Sequence, residues 1–395
     1  MSYIYSSVGG GIGMSENSGP PLPSVPQTTP DSEPPGRNLV ICINGTANEF
    51  KLRQNTNVVK LFSLLVRDPA RQLAYYHPGV GTMAPPGALT RIAKSVTRLL
   101  GMAVGYGLFD DIHDAYSYLM NNYQAGDQIY IFGFSRGAYT ARALAALIDV
   151  YGLLGPGNTA QARYAIRMIQ SAHKIEASAE NEFFASAAGF KKTFSLAECP
   201  IRFVGVWDTV SSVGWLENPV HLPNTANNPS VAASRHAISI DERRAFFRTN
   251  LWRPRDTGPA GPKDLAQVWF AGDHCDVGGG HPENESGLSQ VALKWMVREA
   301  EAAGLLVDAE RRDELFSASP PNSLAPTHES MTWYWRSVEI VPKRHWNWAR
   351  MQWERRANLC RRRTIPPGSL IHRSVQDRGP DYYESRLPAE RQFVD

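Results

Sequence analysis

Three residue types that together can run nucleophilic acyl chemistry occur in one order along this chain: a serine, a carboxylate and an imidazole. Ser135 lies in Gly133-Phe-Ser135-Arg-Gly137, a G-x-S-x-G. A serine hydroxyl is a poor nucleophile until a base takes its proton, and the base works best when a carboxylate orients it. Downstream, Asp208 directly follows Val204-Gly-Val-Trp207, and His274 follows Trp269-Phe-Ala-Gly-Asp273. Serine, then acid, then histidine is the order expected of a serine held on a strand-to-helix turn. His281, His236, His328 and His372 compete for the role of base, and Asp241, Asp273 and Asp276 for that of acid. The oxyanion formed in acyl transfer needs backbone donors. Arg136 N–H, together with Gly45 or Thr46 from the loop after the first strand, would provide them. A rival reading takes His274, Asp276 and His281 as metal ligands. It leaves the serine motif unexplained, so neither a metal nor a cofactor is expected.

The elements around these residues are those the chemistry requires. Ile129 to Phe132 is a short apolar run that reads as a buried strand, and Ala138 to Ile148 is an Ala/Leu-rich helix. Between them the turn is sharp, which explains the small residues Gly133 and Gly137 on either side of Ser135. The following helix points its N-terminus at the site and favours developing negative charge there. Asn38 to Ile43 reads as a central parallel strand that ends in Asn44-Gly45-Thr46, and Ala74 to His77 as a second strand. Further strands are expected at 201–207 and 267–271, with helices at 58–66, 109–123, 234–248 and 288–302. Strands alternating with helices give an α/β fold with a mostly parallel sheet covered on both faces.

Composition bounds the class. Of 395 residues, 43% are hydrophobic and 20% charged, with a net charge of +3. This is an ordinary globular balance, and too even to argue for nucleic acid. Cys42, Cys199, Cys275 and Cys360 are far apart, with no C-x-x-C, which speaks against a zinc knuckle or a disulfide framework. No basic head followed by an apolar stretch opens the chain, so cytoplasmic synthesis without a cleavable signal is expected, with any export by a signal-less route.

Residues 1–37, rich in Gly, Ser and Pro, read as a disordered leader, and 38–305 as the catalytic domain. Within it, 151–200 reads as a helical cap insertion. Residues 306–395 read as a C-terminal extension packed on or near that domain. Residues 90–104 carry Arg91, Lys94 and Arg98 on one helical face, the pattern of a surface helix or of a lid that lies on anionic lipid. The stretch 331–363 holds Trp333, Trp335, Trp346, Trp348 and Trp353 among Lys and Arg. That pattern suits cation–π packing, with membrane contact as the alternative and single-stranded nucleic acid as a weaker one.

Five segments in order carry a resemblance: Asn44-Gly-Thr46, Gly126 to Tyr139, Val206-Trp-Asp-Thr-Val210, Arg235 to Arg244 and Phe270 to Gly280. Together they resemble the α/β-hydrolase domain family that includes the phospholipase effectors of type VI secretion. The resemblance spans about residues 38 to 305. It implies an α/β-hydrolase fold and a serine esterase acting on lipids, with Ser135, Asp208 and His274 as its triad. A lipid or membrane-surface substrate is implied, and an immunity protein or a secretion spike protein as partner. A carboxylesterase on a soluble or polymeric ester, or a catalytically silent binding protein, are the alternatives. One position departs: the first motif usually begins with Asp, and here Asn44 stands in its place.

Overall fold

The structure is a computed structural model that describes residues 36–45, 54–79, 104–172, 180–196, 199–210, 214–215, 218–219, 222–252, 261–340, 342–347 and 352–395. Thr46, the leader up to residue 35 and nearly all of the basic stretch 90–104 lie outside them.

Eight strands form one sheet: β1 Asn38–Ile43, β2 Gln72–His77, β3 Gln128–Phe134, β4 Ile201–Trp207, β5 Val231–Ser239, β6 Asp264–Phe270, β7 Ser369–His372 and β8 Arg391–Val394. Their order is β8-β7-β6-β5-β4-β3-β1-β2, and every neighbouring pair is parallel. From β1 the chain steps outward to β2, then returns to the other side of β1 as β3 and proceeds in one direction to β8. The direction therefore reverses between β1 and β3. A crevice opens at such a reversal, at the carboxyl ends of the strands. Asn44 and Ser135 stand at its two lips.

Both faces of the sheet are buried, as a parallel sheet demands. The two-residue period of a strand sends Leu39, Ile41, Ile43, Ile129 and Ile131 to one face, into a core with α2 (Val104–Asn122) and α3 (Arg136–Tyr151). Val40, Cys42, Tyr130, Phe132 and Phe134 take the other face, against α1 (Asn57–Leu64) and α7 (Gly287–Ala302). Each large apolar side chain so buried contributes about 1.5–3 kcal/mol. Helices α4 (Thr159–Ser171) and α5 (Glu180–Phe194), in the stretch expected to form a cap, bury Ala162, Ala165, Ile166, Ala187 and Phe190 in the same core as α2 and α3.

Two expectations change. Residues 234–248, expected as a helix, are not one: Val231–Ser239 is strand β5, and turns follow it. Its Ala and Arg content favours a helix locally, but β4 and β6 hydrogen-bond it on both sides, and tertiary pairing overrides propensity. The sheet also does not end at β6. The C-terminal stretch supplies β7 and β8, and 343–347 pairs with 352–356 as a separate antiparallel ribbon.

Candidate active site

Ser135 ends β3 with φ 59° and ψ −121°. A positive φ costs a non-glycine residue of order 1–3 kcal/mol, and such strain persists only where the surroundings impose it. Here two glycines impose it. A Cβ on Gly133 would lie 2.4 Å from the Gly137 carbonyl oxygen, and one on Gly137 would lie 2.4 Å from the carbonyl oxygens of Ile43 and Asn44. Helix and strand therefore meet so closely that no side chain fits at either position, as the motif implies. Ser135 stands at the N-cap of α3, yet its side chain makes no capping hydrogen bond. A serine there normally accepts from the first turn.

The loop after β4 closes on this serine. Ser135 N–H donates to the Trp207 carbonyl (3.1 Å), and Val210 N–H donates to the Ser135 carbonyl (3.4 Å). Between them lies Asp208, buried and also at positive φ (40°). His274 begins the short helix α6 (His274–Gly278), and its Nδ1 lies 2.5 Å from Asp208 Oδ2. With the proton on Nδ1, Nε2 remains free to accept one. The ring of Phe134, the residue before Ser135, stacks on the His274 imidazole with centroids 4.6 Å apart. Serine, acid and imidazole thus each follow the carboxyl end of a strand, β3, β4 and β6, and the acid and the imidazole are in contact.

Asp208 has a further partner that the sequence did not disclose. Arg363 reaches both carboxylate oxygens, Nη1 to Oδ1 at 2.5 Å and Nη2 to Oδ2 at 3.0 Å. The Ser239 N–H and hydroxyl also donate to Oδ1, at 2.9 and 3.1 Å. Burial alone would raise this carboxyl; the Arg363 charge and the His274 hydrogen bond outweigh it and hold Asp208 well below the usual carboxylate range. Arg363 ends the Trp/Arg-rich stretch 331–363, whose pattern suits cation–π packing, and no local signal separates it from Arg361 and Arg362.

A second layer fixes the imidazole. Phe247 meets the His274 ring edge-on at 4.7 Å. The Arg244 guanidinium lies 3.6 Å over Phe247, and Glu242 holds that guanidinium at 3.0 and 2.8 Å. Trp335, nearly fully buried, packs against both Phe246 and Phe247. One tryptophan of the Trp/Arg-rich stretch therefore serves packing, while Trp333 is 81% exposed. Helix α6 is itself pinned: Asn57 Nδ2 donates to the carbonyls of Val277 and Ser289, at 2.9 and 3.0 Å. Gly278 is needed because a Cβ there would fall 1.8 Å from Phe134 Cε2.

The expected oxyanion donors fare differently. The Arg136 N–H is the first of α3. Burial pulls its guanidinium down to about 10, against the opposing charge of Asp111. The Gly45 N–H, the donor expected from the loop after β1, donates to Asn44 Oδ1 at 2.8 Å. Asn44 is buried, and its Oδ1 also accepts from the Thr56 hydroxyl (2.9 Å) while its Nδ2 donates to Tyr76 Oη (3.0 Å). The side chain at this departing position is spent on holding the loop against β2 and α1.

The competing residues have other tasks. His236 is wholly buried on β5, where its Nε2 accepts the Thr209 N–H at 3.1 Å; burial and then the Arg142 charge push it down to about 3. His372 stacks on Phe270, and burial lowers it to about 4. Asp241 is held by Arg386 and Tyr382. Asp273 caps α6 through Cys275 and Asp276 N–H. Asp276, His281 and His328 gather into a cluster of their own. His274, tied to Asp208, is not part of it.

An all-parallel sheet with a strained serine at its strand-to-helix turn defines an α/β-hydrolase-like protein. Residues 37–299 match the model of the type VI secretion family described as phospholipase effector Tle1-like, catalytic domain, and the chain belongs to that family. It is also similar to an uncharacterized protein of Saccharomyces cerevisiae, 35% identical over 227 residues, which are 55% of this chain and 33% of that protein. Among solved structures, it is similar to an uncharacterized protein from Pseudomonas aeruginosa (TM-score 0.41, 20% identity, 69% of this chain and 46% of the other). A second is the Tle1 effector bound to the VgrG spike of the type VI secretion system (TM-score 0.33, 17% identity, 63% and 53%). The chain thus spans about a third of the yeast relative and about half of these structures.

Proposed function

We propose that the protein is a serine hydrolase that cleaves carboxylic ester bonds of lipids, with phospholipids as substrate. In this reading Ser135 is the nucleophile, His274 the general base and acid, and Asp208 the residue that orients and charge-stabilises the imidazole. Ser135 Oγ attacks the ester carbonyl carbon as its proton passes to His274 Nε2. The oxyanion is stabilised by the N-terminal amides of α3, with Arg136 N–H first and Thr46 N–H as the second donor. Collapse of the adduct expels the alcohol, which takes the proton from His274 and leaves an acyl-serine. Water activated by the same imidazole then attacks the acyl carbon, releases the fatty acid and restores Ser135.

The observation that carries this reading is the Asp208–His274 contact, with the imidazole stacked on Phe134, the residue before a strained serine that does not cap its own helix. Family membership supports a phospholipid substrate. It also supports delivery by a type VI system, with a spike protein as carrier and an immunity protein to protect the producing cell. The second reading is a carboxylesterase on a soluble or polymeric ester.

The test is a panel of phospholipid vesicles and short soluble esters incubated with wild type and Ser135→Ala, read by mass spectrometry for free fatty acid and lysolipid. Lysolipid release by wild type, lost by about 10³-fold or more in a folded Ser135→Ala, is expected. Hydrolysis of the soluble esters alone would favour the second reading, and equal release by both proteins would end the first.

A further inference from the structure

Two residues beyond His274, the chain holds a cluster that the reaction does not use. Asp276, His281 and His328 bring one ligand-capable atom each to within 4.8 Å of one another. His328 Nδ1 lies 2.6 Å from Asp276 Oδ1, and His281 Nε2 lies 3.8 Å from that same oxygen. The two imidazoles stack almost parallel, with centroids 3.6 Å apart and planes at 17°. Two more carboxylates flank them: Asp273 Oδ1 at 3.4 Å from His281 Nε2, and Glu285 Oε2 at 3.1 Å from His328 Nε2. Three acids thus surround two imidazoles at one spot.

We propose that Asp276, His281 and His328 form a binding site for a zinc-class divalent cation, which clamps the helix that carries His274. Two imidazole nitrogens and one carboxylate oxygen are the donor set that zinc and its first-row neighbours take, whereas calcium and magnesium favour all-oxygen cages. Tetrahedral zinc with ligands near 2.0–2.2 Å needs donor atoms about 3.3 Å apart. The present spacings bracket that value, and to bind one ion the two stacked rings must turn out of parallel so that both in-plane lone pairs face it. The ion takes the place of the proton between His328 Nδ1 and Asp276 Oδ1.

The surroundings are those of a built site. Asp276 is buried, and its second oxygen is fixed by the N–H groups of Asp273 (3.0 Å) and His328 (2.9 Å). Glu285 orients His328 through the far ring nitrogen, the arrangement that steadies metal-bound imidazoles. His281 and His328 are partly exposed, with side chains 23% and 25% accessible, which leaves an entry path and room for a water as fourth ligand. The cation would join α6 and the loop just after it to the segment around His328, which lies 52 residues beyond Asp276. It stands beside the proposed triad without entering it, so the inference does not rest on the hydrolase reading.

The test uses the full-length protein freed of affinity tag and stripped with chelator, then titrated with ZnCl₂ and, separately, CaCl₂. Calorimetry is expected to show one zinc per chain, and the unfolding temperature to rise with zinc but not with calcium. His281→Ala and His328→Ala should each weaken zinc binding by 10-fold or more and abolish the thermal shift. His281→Gln and His328→Gln serve as gentler variants should the alanines fold poorly. Absence of stoichiometric zinc uptake, or uptake unchanged in the double variant, overturns the proposal, with a protonated His328 then bridging Asp276 and Glu285. Neither result depends on ester hydrolysis, so failure here and failure of the proposed activity can be told apart.

Discussion

Arg363 grips both oxygens of Asp208 from 155 residues further along the chain. A buried carboxylate that orients an imidazole must stay ionised and in place, and this guanidinium does both. Replacing Arg363 with Met keeps an unbranched stem and removes the guanidinium and its charge. We expect kcat for ester hydrolysis to fall about 10- to 100-fold with KM little changed, because Arg363 acts through Asp208 and His274. Stability should drop by about 3 kcal/mol, as when one partner of a buried pair is lost. Arg363→Lys should recover part of kcat. An unchanged kcat in a destabilised Arg363→Met would reduce the pair to a structural role.

Asn44 allows a sharper test of what its position needs. Its oxygen accepts two hydrogen bonds and its amide meets Tyr76 Oη, which is itself able to donate. An aspartate can therefore satisfy the same three groups. Asn44→Asp is expected to keep activity within about threefold, while Asn44→Leu leaves the Gly45 N–H and Thr56 hydroxyl unpaired and costs about 1–3 kcal/mol for each. A large gain in kcat for Asn44→Asp would show that charge at this place, and not only loop shape, assists the reaction.

His236 sets an acid limit on stability. It is neutral in the fold, depressed to about 3 by burial and then by Arg142, whereas in the unfolded chain it titrates near the ordinary value of about 6.5. The unfolded state thus binds the extra proton first, and stability falls as pH drops from about 6.5 towards 3, by up to about 1.4 kcal/mol per pH unit. Asp208 and Glu242, both held low, add their own loss beneath about pH 4. Thermal unfolding between pH 8 and 4 should show this slope. His236→Gln should reduce it above pH 4, leaving the part due to His372, which burial lowers to about 4, and an identical slope in the variant would exclude His236 as a source.

Gly278 should prove intolerant for a reason of packing. Its Cβ would strike Phe134, whose ring lies flat on His274. Gly278→Ala is expected to cost about 1–3 kcal/mol and to lower kcat by displacing that ring. Adding Phe134→Leu should restore much of the stability but not the activity, a coupling that a double-mutant cycle on unfolding free energy would measure.

Much of this arrangement is legible locally. A strained serine turn needs small neighbours and a buried strand before it, so Gly133, Ser135 and Gly137 mark the elbow by residue type alone. The apolar runs at 38–43, 129–132 and 201–207 read as strands because a parallel sheet buries both their faces. The five ordered motifs also disclosed the family to which the chain belongs. Strand β5 was misread because its helix-friendly residues are held extended by β4 and β6, which local pattern does not reveal.

Sequence by itself determined which residues can do the chemistry and the order of the elements that carry them, since strand period, turn chemistry and the elbow glycines act over a few residues. Only the tertiary structure decided that Arg363 grips Asp208, that Phe247 and Phe134 hold the imidazole, that Asn44 ties to Thr56 and Tyr76, and that His328 joins Asp276 and His281. Those contacts join segments tens to hundreds of residues apart, and a basic or histidine residue carries no mark of its distant partner until packing brings the two together.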